Sequence, residues 1–142
     1  MEKKLFKKSS QKGVYLSDKY YESKKLYKFR SIYDENNGNT IVMVDLDRAT
    51  VYEAKEFYDY VDELIENDKT NLIIDMEKVY FIDSVFFGSL IKLLKRVDKK
   101  LGFLKLIIDH NSKPELLSVG SFDQIFEIYP NLFEALNKNK AS

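Results

Sequence analysis

Val79-Tyr80-Phe81-Ile82-Asp83-Ser84-Val85-Phe86-Phe87-Gly88-Ser89-Leu90 is the stretch that decides the fold: an apolar run stops at a polar pair, and beyond it the apolar residues change period. Phe87, Leu90, Leu94, Val97 and Leu101 recur at three- and four-residue steps, with Lys92, Lys95, Arg96, Lys99 and Lys100 between them. This pattern predicts a buried strand, a turn and an amphipathic helix. Asp83 or Ser84 can cap that helix by accepting a bond from an orphan N–H, and Gly102 falls where a left-handed residue would end it. The helix start also offers free N–H groups and a positive dipole end, a favourable place for a phosphate.

On the N-terminal side, Leu72-Ile73-Ile74-Asp75-Met76 is an apolar run of strand length. Before it, Thr50 and Glu53 have capping-box spacing, and Ala54, Phe57, Tyr58, Val61, Leu64 and Ile65 mark the buried side of a helix ended by Asn67-Asp68. Further back, a strand over Leu26–Tyr33, an Asn37-Gly38 turn and a return over Thr40–Leu46 predict an antiparallel hairpin. Ile41-Val42-Met43-Val44 is apolar on both faces, as in a covered central strand.

On the C-terminal side, Leu104–Ile108 reads as another buried strand, giving the β-α-β-α-β alternation of a largely parallel sheet. Ser112, Pro114 and Glu115 predict a short helix over Lys113–Val119. Phe122, Ile125, Phe126, Ile128 and Tyr129 form an apolar patch that reads as a short edge strand, and Pro130-Asn131 opens a last helix bearing Leu132, Phe133, Ala135 and Leu136. The expected fold class is α/β: one domain over residues 26–138, with a mixed, mostly parallel four- to five-stranded sheet and about four helices. A basic extension over 1–25 precedes it and a tail over 139–142 follows.

Composition narrows the function. The chain has 142 residues, with 23 Lys/Arg against 23 Asp/Glu, and no cysteine, which excludes disulfides, thiolate metal sites and cysteine nucleophiles. A single histidine, His110, does not build a histidine metal site or a Ser-His-Asp triad, and Ser84 lacks a Gly-x-Ser-x-Gly context. No catalytic residue, metal ligand or cofactor is expected, because no acid–base pair, nucleophile–base pair or metal cluster is visible. Residues 1–30 carry a net +7, which leaves −7 on the rest. The leader reads as a solvated segment, and the acidic body argues against nucleic acid. With no membrane-length apolar run and no signal peptide, a cytoplasmic location without membrane contact is expected. The lysines of the second helix read as its solvent face, and Tyr52 and Tyr60 fall off the buried stripe of the first.

This order of elements, over about residues 26–137, resembles the STAS domain of bacterial anti-sigma factor antagonists. The family's central pattern, an apolar strand ending in Asp and then Phe-Ile-Asp-Ser-Ser-Gly-Leu opening a helix, is similar to Leu72–Asp75 followed by Phe81-Ile82-Asp83-Ser84-Val85-Phe86-Phe87. Its later regions resemble Leu104–Ile108, Leu116-Leu117-Ser118-Val119-Gly120-Ser121-Phe122 and the helix Leu132-Phe133-Glu134-Ala135-Leu136.

The resemblance implies a binding protein, not an enzyme, whose partner is an anti-sigma factor of the serine-kinase ATPase type. It further implies that phosphate on the second serine of the motif breaks the complex by placing nearly two negative charges at the binding turn. Here Val85 occupies that position and Phe86 and Phe87 replace the Gly and Leu, so Ser84 is the remaining phosphorylation candidate. Three consecutive apolar residues span about 200° of a helix. If Phe87 is buried, Val85, Phe86 or both face out. The expected partner-binding residues are therefore Asp83, Ser84, Val85, Phe86 and Ser89, in a monomer or weak dimer. An alternative reading is a STAS-like accessory subunit of a membrane transporter, and a weaker third is small-ligand binding or hydrolysis.

Overall fold

The computed structural model describes residues 27–109 and 122–137. The extension over 1–25, His110, the helix expected at Lys113–Val119 and the tail over 139–142 lie outside the described residues.

The hairpin forms as its turn chemistry predicts. β1 (Phe29–Asp34) pairs antiparallel with β2 (Asn39–Val44), Phe29 opposite Val44 and Asp34 opposite Asn39. Gly38 supplies a φ of +74°, and the Asp34 carboxylate accepts from the Asn36 N–H and the Asn37 side-chain amide. β2 then pairs parallel with β4 (Asn71–Asp75), β4 with β6 (Phe103–Ile107) and β6 with β7 (Glu127–Tyr129), giving a five-stranded sheet of order β1-β2-β4-β6-β7. A strand covered on both faces needs no polar alternation, which is why β2 and β4 read as continuous apolar runs.

Among the described residues, two long helices cover one face of the sheet. α1 (Val51–Glu66) buries Ala54, Phe57, Val61 and Ile65, and α2 (Ser84–Lys99) buries Phe86, Phe87, Leu90, Leu93 and Val97. They pack on Val42, Ile74 and Leu106 of the sheet in one continuous core. Each fully buried side chain of this size stabilises the fold by about 1.5–3 kcal/mol. The aromatic patch after residue 121 divides between two elements. α3 (Phe122–Ile125) is a single helical turn, and only Glu127–Tyr129 forms the edge strand. Phe122 and Phe126 turn into the core because the ring of Phe87 offers them an edge-on contact, 4.5 and 5.9 Å between centroids. Tyr60 likewise leans onto Phe29 and donates its hydroxyl to Ser31 Oγ, so it is less exposed than its helical phase predicts.

The opposite face is covered by α4 (Leu132–Asn137), whose Ala135 packs among Ile41, Ile73, Ile107 and Tyr129. Asn131 Oδ1 caps this helix by accepting from the Glu134 N–H at 2.9 Å. Lys105 of β6 is buried here and donates from Nζ to the Ala135 carbonyl at 2.7 Å. Burial lowers the pKa of Lys105, against the opposing pull of the Glu127 carboxylate. Tyr129 is pushed up to about 12, first by burial and then by the hydrogen bond its hydroxyl donates to Glu127.

Candidate functional site

The segment ahead of Asp83 is not a strand of the main sheet, as its apolar composition suggests. β5 (Phe81–Ile82) pairs instead with β3 (Arg48–Ala49) in a separate two-stranded parallel ladder. Ile82 is buried, while Phe81 stays partly exposed with the Arg48 guanidinium 4.1 Å from its ring centroid. The Tyr80 N–H donates to the Asp47 carbonyl and the Asp83 N–H to the Ala49 carbonyl. These bonds zip together the two turns that open α1 and α2, so both helix N-termini lie side by side.

Asp83 sits between them and serves both. Its Oδ1 accepts from the Phe86 N–H at 2.9 Å, capping α2, and its Oδ2 accepts from the Val51 N–H at 2.8 Å, the first residue of α1. One carboxylate thus satisfies orphan donors at two positive dipole ends. Thr50 completes the start of α1 with a capping box: its backbone N–H donates to Glu53 Oε1 at 3.0 Å, and its hydroxyl oxygen accepts from the Tyr52 N–H at 3.3 Å.

Around this double cap the expected site residues divide. Ser84 and Val85 face solvent, Val85 at 48% exposure. Phe86 and Ser89, expected among the partner-binding residues, point inward instead. Phe86 is 0% exposed and stacks on Phe57 with centroids 4.7 Å apart, and the Ser89 hydroxyl donates back to the Val85 carbonyl. The reason is that α2 has neighbours on two sides, α1 at Phe57 and α3 at Phe122. Two consecutive phenylalanines about 100° apart therefore each find a partner.

Val51, Tyr52 and Tyr80 join Val85 and Phe81 as exposed apolar residues on the turns and first helical turns around Asp83, with Tyr52 at 88% exposure. Of these, only Val85 is among the partner-binding residues expected from the sequence, although Tyr52 reads there as lying off the buried stripe. The signal was present in Val51-Tyr52, which falls at the first two helical positions after the Thr50 cap, ahead of the buried stripe that begins at Ala54. Among the described residues no group of His, Asp or Glu could hold a metal ion, and no helix is long and apolar enough to cross a membrane.

The family model for the STAS domain matches residues 33–135. A Thermotoga neapolitana protein that carries the name of an anti-sigma factor antagonist homologue is 25% identical over 101 residues, covering 70% of this chain and 89% of that protein. The crystal structure of a Thermotoga maritima protein, likewise named as an anti-sigma factor antagonist, superimposes with a TM-score of 0.63 at 24% identity, covering 76% of this chain and 91% of that one. The murine anion transporter of solute carrier family 26, member A9, aligns over 70% of this chain and 17% of its own length, with a TM-score of 0.57 and 21% identity. These two structural likenesses speak to the fold.

Proposed function

Because this chain belongs to the STAS domain family, we propose that it is an anti-sigma factor antagonist, a binding protein of the cytoplasm and not an enzyme. Its partner is an anti-sigma factor of the serine-kinase ATPase type. The contact is made through Asp83, Ser84 and Val85, the exposed line of α2 and the neighbouring Val51, Tyr52 and Phe81. One observation carries this reading: at the start of α2, where the family motif has its second serine, a half-exposed Val85 stands beside other exposed apolar side chains. An apolar cluster at a helix start is held in water at a cost unless a partner covers it.

The same residue removes the usual switch. Val85 has no hydroxyl to accept phosphate, and the Asp83 carboxylate already occupies donors of both helix starts. A phosphate on Ser84 would meet that carboxylate as well as the helix dipoles, so its gain there is small. The antagonist therefore binds constitutively or is controlled through its partner.

The test is affinity capture from the cognate lysate with wild-type protein and a Val85→Glu variant, proteins identified by mass spectrometry. An ATPase-type anti-sigma factor recovered by wild type and lost with Val85→Glu is the expected outcome. Recovery of transporter subunits instead would replace this reading with the accessory-subunit one. In the same system, a Val85→Ser variant incubated with the captured kinase and ATP is expected to gain phosphate at position 85, and a lack of phosphate would count against a kinase partner.

A further inference from the structure

Gly88 has no internal reason to be glycine. It lies within α2, outside the left-handed region, and a Cβ placed on it would meet no atom within 4 Å. A glycine in an open helical position destabilises the helix relative to alanine, and close approach by another chain is one of the physical reasons to keep one.

Its position adds a second observation. Val85, Gly88, Lys92, Lys95 and Lys99 follow one another at three- and four-residue steps, on the side of α2 opposite Leu90, Leu93 and Val97. Lys92, Lys95 and Lys99 are exposed and form no ion pair among the described residues. Arg96, on the flank towards α1, is held by Asp62 and Glu66. Three exposed lysines without an ion pair among the described residues thus share one line with the bare backbone of Gly88 and the exposed Val85.

Resting on the antagonist reading above, we infer that this line of α2 is the seat of an acidic element of the protein partner. The partner segment crosses α2 at Gly88, where the missing side chain lets two backbones approach, and its carboxylates lie along Lys92, Lys95 and Lys99. An anionic lipid surface would be served by the lysines alone and would have no use for an uncovered backbone at Gly88. A folded acidic protein surface uses both features.

The test is binding of the full chain to the purified ATPase-type anti-sigma factor recovered by capture, measured at low and high salt. Gly88→Ala is expected to melt higher than wild type yet bind about tenfold more weakly, and Gly88→Leu to bind more weakly still. A Lys92→Glu/Lys95→Glu/Lys99→Glu variant is expected to lose about tenfold or more, chiefly in association rate, with the loss shrinking as salt rises. Unchanged affinity in the Gly88 and lysine variants, with Val85→Glu still abolishing binding, would overturn this inference and leave the antagonist reading standing. A Gly88→Ala variant that melts lower would also overturn it, because the glycine would then serve the fold. If phosphatidylglycerol vesicles bind wild type but not the lysine variant, while partner affinity is unchanged, the stripe belongs to a membrane and the inference fails. If no ATPase-type anti-sigma factor binds wild-type protein, the antagonist reading and this inference fall together.

Discussion

The helix pair α1 and α2 is tied at both ends, by different means. At the starting end a single side chain, Asp83, reaches across 32 residues of sequence to the Val51 N–H while it caps its own helix, and exposed Val51, Tyr52 and Val85 surround it. At the finishing end each helix closes chiefly with backbone groups, joined after α1 by the Asn67 side-chain amide, which donates to the Glu63 carbonyl at 2.9 Å. After α1 the Lys69 N–H donates to the Leu64 carbonyl and the Asp68 N–H to the Ile65 carbonyl, with Asp68 at a φ of 68°. After α2 the Gly102 N–H donates to the Val97 carbonyl and the Leu101 N–H to the Asp98 carbonyl, with Leu101 at a φ of 62°. Both are Schellman closures. The two ends meet where Gly102 lies against Thr70, so close that a Cβ on Gly102 would sit 2.0 Å from the Thr70 carbonyl oxygen. The finishing end is closed largely by main chain and exposes one large apolar side chain, Leu101, whereas the starting end is held by a charged side chain and carries a cluster of exposed apolar residues. Such a difference is expected when only one end meets a partner.

Gly102→Ala should break the closed end most severely. The Thr70 carbonyl that its Cβ would strike also accepts the Phe103 N–H at 2.9 Å, so relief requires moving the start of β6 against β4. A loss of about 3 kcal/mol in urea unfolding is expected; a loss under about 1 kcal/mol would show that the contact relaxes cheaply and that the ends differ less than described. Asp83→Ala comes next. It removes caps from two helices at about 1 kcal/mol each, so about 2 kcal/mol in all, and it should weaken partner capture as well. Asp83→Asn, with one acceptor oxygen, should cost about half as much. If Asp83→Ala costs no more than one cap, the bond to Val51 contributes nothing and the starting end is not shared.

The smallest effect has the opposite sign. Leu101 is 94% exposed and holds a left-handed backbone that disfavours a Cβ. Leu101→Gly should therefore stabilise by about 1 kcal/mol, a rise of about 3 °C in melting temperature for a chain of this size. It should leave partner capture unchanged; weaker capture would place the closed end in the interface after all.

Much of this was legible from short-range pattern. The Asn37-Gly38 hairpin, the Thr50–Glu53 capping box and the burial of Phe57, Val61, Leu90 and Val97 follow from chemistry that acts within four or five residues. Where helix α2 ends was also legible, but the roles of the residues there were not. Gly102 reads as the left-handed residue, whereas Leu101 takes that conformation and Gly102 is required by Thr70. At the site, Asp83 or Ser84 was readable as a cap for α2, and Val85, Phe86 or both as exposed. The inward turn of Phe86 was not, because its place depends on Phe57 of another helix.

The sequence by itself determined the order and type of the principal elements, the STAS-like α/β class and the loss of the serine at position 85, since each rests on residue identity and local period. The tertiary structure alone decided that Asp83 serves two helices, that Phe81–Ile82 pairs with β3 and not with the sheet, and that Lys105 is buried under the Ala135 carbonyl. Each of those joins residues about thirty positions apart. Such contacts exist only once the helices and strands have packed, and no periodicity along the chain records which distant partner a given side chain will meet.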